Sequence, residues 1–330
     1  MTTPRVTVLI TTFNRAALLV RAVDSVLAQD YPPELREILI VDDGSTDDTA
    51  ALVAQRYGDR VRYLHKPNGG INAACMLGFE QARGEIIAQL DSDDWWYPGK
   101  LSAIVPKFDL AEDVVAVFHD LDIHDVGDEV PHSTCWNSLN VVLTEAPCDA
   151  LETYLAGYPL PAWTSGSAWR RSALMKVMPF PEGLWGFNDA YCVRNIAFHG
   201  RVCAIHRSLG GYLVHTTNDY AGGRARLDTA RMERALRDSE LMNEAFTRRC
   251  REFGRTPSAR RVMIQQLALA ERHIAREQAR GTGAAVRWIV REGAGLPALA
   301  RFQLACNVLL PRRLAVFIKN RLIGRFISLD

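Results

Sequence analysis

Within the first 90 residues, short apolar, β-rich runs alternate four times with segments of helical spacing, and this pattern constrains the fold more than any other feature. The runs are Val6–Ile10, Glu37–Val41, Val61–Leu64 and Glu85–Leu90. Between them, Arg15–Gln29 carries Leu18, Leu19, Ala22, Val23, Val26 and Leu27 at helical intervals, and Thr46–Arg56 and Asn72–Ala82 read the same way. Tyr31-Pro32-Pro33 and Gly84 punctuate the units. Strand–helix alternation predicts an α/β fold, Rossmann-like, with a mostly parallel sheet flanked by helices. In such sheets ligands bind beyond the carboxyl ends of the strands. Three polar clusters fall at those ends: Thr11–Asn14, Asp42–Ser45 and Asp91–Asp94.

The chemistry of the clusters narrows the ligand. Asp91-Ser92-Asp93-Asp94 packs three carboxylates into one turn, a crowding that a cation or hydrogen-bond donors must offset. Hard oxygen ligands suit Mg²⁺ or Mn²⁺, which bind through one or two carboxylates and the phosphates of a substrate. Taken alone, the cluster also reads as a solvated turn capping the following helix. Asp42 and Asp43 can accept hydrogen bonds from a nucleotide base or ribose, or simply close a strand-to-helix turn. Thr11 and Phe13 can bond and stack on the same base, or pack at a strand end.

Further along, residues 110–220 are less regular. They carry Asp120, Asp122, His124 and Asp125, then a stretch rich in Trp, Pro and Gly with Trp136, Trp163, Trp169 and Trp185. This predicts an α+β extension. Aromatic faces there could pack on a ligand ring, and Trp163, Trp169 and Trp185 are equally suited to the core. From Arg224 onward the chain is helical in character. The charge divides at the same place: residues 1–220 hold 17 Lys/Arg against 28 Asp/Glu, and residues 221–330 hold 22 against 10. An acidic front and a basic rear suggest two units with different jobs.

Three segments together resemble the successive motifs of family 2 glycosyltransferases: Val8-Leu9-Ile10-Thr11-Thr12-Phe13-Asn14-Arg15, Ile40-Val41-Asp42-Asp43-Gly44-Ser45-Thr46-Asp47 and Leu90-Asp91-Ser92-Asp93-Asp94. Their order, spacing and flanking strands agree with that family over about residues 5–218. The resemblance implies a GT-A fold for residues 1–223, with a nucleotide-sugar half of about 1–110 and an acceptor half of about 111–223, followed by a helical basic region, 224–330. It implies a nucleotide site of Thr11, Phe13, Asn14, Asp42, Asp43, Gly70, Asn72, Asp91 and Ser92. A divalent cation would be held chiefly by Asp93, with Asp91 and Asp94 and, more weakly, His215 from Tyr212-Leu213-Val214-His215.

Gly186-Phe187-Asn188-Asp189 resembles the family's acidic-pair segment, whose second acid is the catalytic base; Asp189 is that candidate. Two departures stand out. Gly69–Ala74 matches a glycine-containing stretch that many members continue with Arg-Asn, whereas this chain continues with Cys75-Met76. The first acid of the pair is Asn188 here.

The implied activity is inverting transfer of a sugar from a nucleoside-diphosphate donor, most simply a UDP-sugar, to a hydroxyl on a saccharide or lipid-linked acceptor. Its usual setting is cell-envelope, capsular or exopolysaccharide synthesis. A sugar-nucleotide binder of the same fold without catalysis is the alternative. A receiver-like signalling domain would begin with its acidic strand, and here a full strand–helix unit precedes it. Seven cysteines form no CxxC pair and read as reduced thiols. Met1–Arg5 leads into a strand without the apolar core of a signal peptide, which predicts a cytoplasmic chain. In residues 311–330, Arg312, Arg313, Lys319, Arg321 and Arg325 interleave with apolar residues. That pattern suits a helix on an anionic membrane face, or one packed on protein. No nucleic-acid-binding module accompanies the basic residues.

Overall fold

The structure is a computed structural model, and it describes residues 3–127, 130–137, 141–215, 229–279 and 282–296, with positions 301, 304, 305, 308 and 309. The chain divides into two units, one of Met1–Ala225 and Ala245–Thr256, the other of Arg226–Glu244 and Pro257–Asp330.

The first unit is built on a mixed sheet. In chain order it runs β1 (Val6–Thr12), α1 (Ala16–Leu27), β2 (Arg36–Asp42), α2 (Thr49–Tyr57), β3 (Arg62–His65), α3 (Ile71–Gln81) and β4 (Ile86–Asp91). It continues with β5 (Trp95–Trp96), α4 (Lys100–Ile104), β6 (Val114–Asp125), β7 (Ser133–Thr134), α5 (Ala150–Leu155), β8 (Ser167–Arg170), α6 (Arg171–Leu174), α7 (Asn188–Ile196) and β9 (Arg201–Val214). Strand order is β3-β2-β1-β4-β8-β6-β9-β5, with β7 paired to β6.

The expected alternation is present, and the first four strands pair in parallel in the order β3-β2-β1-β4. Every residue of β1 is buried, because helices cover both faces of such a sheet and leave no polar side. Val8, Ile10, Ile40 and Leu90 pack against Leu19, Val23 and Val26 of α1 in the main core. Beyond β4 the sheet changes direction. β8 runs antiparallel to both β4 and β6, β9 is parallel to β6, and β5 is antiparallel to β9. The parallel character expected from the sequence therefore holds for β1 to β4, and the later strands make the sheet mixed.

One glycine shows how that later part closes. A Cβ on Gly211 would sit 2.2 Å from the Trp95 ring, so only glycine lets the indole lie flat on β9 where Trp95 pairs with Gly211. The parallel registers bring the carboxyl ends of β1, β2 and β4 level: Thr11 faces both Val41 and Asp91, and Thr12 faces Asp42. The three polar clusters thus share one edge of the sheet.

The second unit is helical. Its elements include α9 (Ala259–Ala279) and α10 (Thr282–Arg291), preceded by α8 (Thr229–Glu252), whose residues are shared between the units. Ala270, Ile274, Ala285, Ile289 and Leu304 form its core, and His273 stacks on Trp288 with ring centroids 5.1 Å apart. No helix among the described residues is long and apolar enough to cross a membrane. The basic segment 311–330, expected as a membrane or packing helix, lies outside the described residues, as does Cys306. The six described cysteines are free thiols, five of them buried.

Candidate active site

The turn after β4 carries the densest charge. Ser92, Asp93 and Asp94 are buried there, yet each acid meets a different environment. Asp93 Oδ2 accepts from Arg15 Nη1 at 2.6 Å and lies 2.9 Å from His215 Nε2. Arg21 donates to the Asp93 carbonyl at 2.9 Å while its guanidinium lies 3.7 Å from the Trp95 ring centroid. Asp94 accepts from Ser165 Oγ at 2.5 Å and from the Leu213 amide at 3.0 Å. Both its oxygens are thus committed to tying the turn to β9 and to the segment before β8. Burial, then Asp93 and Asp91, push its carboxyl well up.

Asp91 is the acid left short of positive charge. Burial first, then Asp93 and Asp189, raise its carboxyl to about 7, against the lowering effect of Arg15 and a Thr164 hydrogen bond. A carboxyl raised by burial and by neighbouring carboxylates is one whose charged form a nearby positive group would favour. Among the described residues no group of three or more His, Cys, Asp or Glu side chains is arranged to hold a metal. Mg²⁺ and Mn²⁺ bind through one or two carboxylates and complete their shells with substrate oxygens and water, and the carboxylates of this turn are oxygen donors of that kind. Of the expected ligands, His215 contacts Asp93 and Asp91 is near enough to Asp93 to be raised by it, while Asp94 is occupied by the fold.

At the nucleotide end, Asp42 caps its own turn. It accepts from the Ser45 amide at 2.7 Å and from the Tyr63 hydroxyl. Asp43 braces the loop before α3, accepting from Gly69 N at 3.0 Å, Gly70 N at 2.7 Å and Lys66 Nζ at 2.6 Å. Gly44 has φ +87°, and a Cβ there would stand 2.7 Å from Asn68 N, so the close approach of these two loops requires glycine. Asn14, with φ 51°, clamps the end of β1 to the same turn: its Oδ1 accepts from Thr46 N and its amide donates to Ser45 Oγ, both at 2.8 Å. Thr11 is buried, and Phe13 is 45% exposed at the tip of β1. Asn72 donates to the Leu184 carbonyl at 2.8 Å, and its buried Oδ1 has no partner among the described residues.

Asp189 lies in the first turn of α7, partly buried. Phe187 just before it has φ 56°, a left-handed conformation that costs a bulky residue on the order of 1–3 kcal/mol and marks functional segments. Burial raises the Asp189 carboxyl to about 6, opposed by the Ala190 amide and Arg194. Asp189 is also among the causes that raise the Asp91 carboxyl, so the α7 N-terminus lies within electrostatic reach of the β4 turn.

The structure also sorts the tryptophans. Trp169 is wholly buried and Trp136 is buried, whereas Trp185 is 53% exposed with its ring 3.9 Å from where a Gly70 Cβ would be. Sequence reasoning missed Arg15, Arg21 and Ser165 as parts of the site. Arg15 follows directly on the Thr11–Asn14 cluster, which is a legible hint. Ser165, 71 residues from its partner Asp94, has none.

The chain is similar to known proteins in sequence and in fold. The sequence profile described as Glycosyl transferase family 2 matches residues 7–175. A glycosyltransferase of Nostoc sp., itself uncharacterized, is 36% identical over 227 residues, covering 66% of this chain and 66% of that protein. The match spans 37% of a glycosyltransferase of Rickettsia prowazekii, so the chain shares a part of these relatives' lengths. Among solved structures, S. aureus TarS 1-349 in complex with UDP-GlcNAc superposes with a TM-score of 0.55 at 17% identity, over 92% of this chain and 91% of that one. The mannosyltransferase PcManGT from Pyrobaculum calidifontis, in complex with GDP-Man and Mn²⁺, superposes with a TM-score of 0.51 at 19% identity, over 100% and 89%. At these identities the structural likeness carries the fold.

Proposed function

This chain belongs to glycosyl transferase family 2 and has the GT-A fold, and from that premise we propose that it transfers a sugar from a UDP-sugar to a hydroxyl of a saccharide acceptor, free or lipid-carried, with inversion at the anomeric carbon. The observation that carries the reading is the shared site of Asp91, Asp93 and Asp189. An acidic turn suited to a diphosphate with its cation stands beside a carboxyl raised to about 6, where it can take a proton near neutrality.

In this reading the first unit is the catalytic domain. Phe13, exposed beside Thr11 and the Asn14 clamp, stacks on the base. The Gly69–Gly70 loop, held by Asp43, and Asn72 line the nucleotide. Asp93 and Asp91, with His215 beside Asp93, would hold a divalent cation, which would offset the negative charge of a diphosphate. Asp94 keeps the turn in place through Ser165 and Leu213. Arg15 and Arg21 add positive charge around Asp93. Asp189 accepts the proton of the attacking acceptor hydroxyl, and a single displacement inverts the anomeric centre. Trp185, about half exposed, packs on the acceptor ring.

TarS bound to UDP-GlcNAc and PcManGT bound to GDP-Man and Mn²⁺ support trying both nucleotide classes. Thermal-shift titration of the chain with UDP-GlcNAc, UDP-glucose and GDP-mannose, each with and without Mn²⁺, tests the donor. A shift with a UDP-sugar that needs Mn²⁺ is expected. No shift with any of them contradicts the proposal. NMR of the transfer product then reports the anomeric configuration, and retention would refute inversion.

A further inference from the structure

Cys75 stands on α3 and Asn188 opens α7. Although 113 residues apart, Asn188 donates from Nδ2 to the Cys75 thiol at 2.8 Å. The other end of the same carboxamide, Oδ1, accepts from the Asp189 amide at 2.7 Å. Both side chains are buried, so neither exchanges these contacts for water at no cost.

The thiol is a junction rather than a filler. Gln89 Nε2 of β4 approaches it at 3.8 Å, and Gln89 Oε1 accepts from the indole of the buried Trp169 at 2.6 Å. Thr11 of β1 also hydrogen-bonds it. A polar path therefore runs from the core through Gln89 and Cys75 to Asn188 and the backbone of Asp189. Such a connected network fixes its members more firmly than separate contacts do.

Charge explains why this pair is neutral. Burial pushes the Cys75 thiol up, so it carries no charge. An acid at position 188 would lack a counter-cation on α3 and would add a negative charge beside Asp189 and Asp91. Asn keeps one donor for sulfur and one acceptor for the amide, and adds no charge.

We propose that Cys75 and Asn188 form one neutral positioning unit that holds Asp189 at the start of α7. The inference rests on the reading of Asp189 as the proton acceptor. Asn188 and Cys75 act through it, and neither needs to touch substrate.

A double-mutant cycle on the full chain tests it. The variants are Cys75→Ala, Asn188→Ala, the double variant, Cys75→Ser and Asp189→Asn. Turnover is read as UDP or GDP release from UDP-GlcNAc, UDP-glucose and GDP-mannose with Mn²⁺, donor affinity by calorimetry, and backbone order by hydrogen exchange at the Asp189 amide. Each single alanine is expected to lower turnover about 10-fold at unchanged donor affinity, the scale of a small misplacement of a reacting group. The double variant should lose no more than either single one, since both break the same link. Cys75→Ser, whose hydroxyl accepts from Asn188, should stay within about 2-fold of the parent. Exchange at the Asp189 amide should quicken in both alanine variants and not in Cys75→Ser.

Single effects that multiply in the double variant, or donor affinity falling in step with turnover, would overturn the positioning unit while Asp189→Asn still abolishes turnover. Full turnover in Asp189→Asn would remove the proton-acceptor reading instead. Exchange at the Asp189 amide decides the coupling of the pair even with no donor turned over: an unchanged rate in both alanine variants contradicts it.

Discussion

Arg15 Nη1 lies 2.6 Å from Asp93 Oδ2, so a guanidinium holds the carboxylate best placed to receive a cation. A divalent ion binding Asp93 must share or displace that contact. Arg15→Gln should therefore bind Mn²⁺ alone more tightly, on the order of 10-fold, equivalent to about 1.4 kcal/mol. Calorimetric titration of Mn²⁺ without nucleotide reads this directly. Equal or weaker binding would show that the ion pair does not compete with the cation.

Asp189→Asn removes the proton acceptor and keeps the shape of the side chain. Turnover should fall by at least about 100-fold, a common general-base contribution, with donor affinity within a few-fold of the parent. A variant that turns over normally would end the assignment.

The same residue gives a pH signature. Its carboxyl is raised from 3.8 to about 6, chiefly by burial, so turnover should rise with pH through about 6 as the base becomes free. Stability moves the other way. Between pH 4 and 6 the unfolded group has lost its proton while the folded one retains it, so the folded state binds more protons and raising the pH disfavours folding. Relative to Asp189→Asn, the parent should lose stability across that interval and differ by a constant amount above it. Denaturation at pH 4, 5, 6 and 7 checks the slope, and a parallel pair of curves would contradict it.

Trp185, exposed near Gly70, should act on the acceptor. Trp185→Ala is expected to raise the acceptor KM roughly 3- to 10-fold, the scale of about 0.5–1.5 kcal/mol for an aromatic face, while donor affinity stays unchanged. An effect on donor affinity alone would move Trp185 to the nucleotide side.

The nucleotide half was legible because its physics is local. A strand buried on both faces must be apolar along its length, and its polar end must fall at the sheet edge, so β1, β2 and β4 could be read with their clusters. The second half was not. β9 contains Gly210 and Gly211, residues that weaken a strand interior, and the packing of Trp95 against Gly211 makes the strand intelligible. The roles of Asp91, Asp93 and Asp94 look alike in sequence because the three acids are neighbours. They part in space because Arg15, Ser165 and Leu213, all distant in the chain, choose among them. Cys75 and Asn188 were visible as separate oddities, and nothing local said that they meet.

The central claim is that the β4 carboxylates bind a divalent cation together with the donor diphosphate, and calorimetry of UDP with and without Mn²⁺ tests it most directly. The account predicts that Mn²⁺ tightens UDP binding at least about 10-fold in the parent, a gain of about 1.4 kcal/mol, and that Asp93→Asn abolishes that gain. UDP binding that ignores Mn²⁺, or a gain that survives in Asp93→Asn, would contradict it.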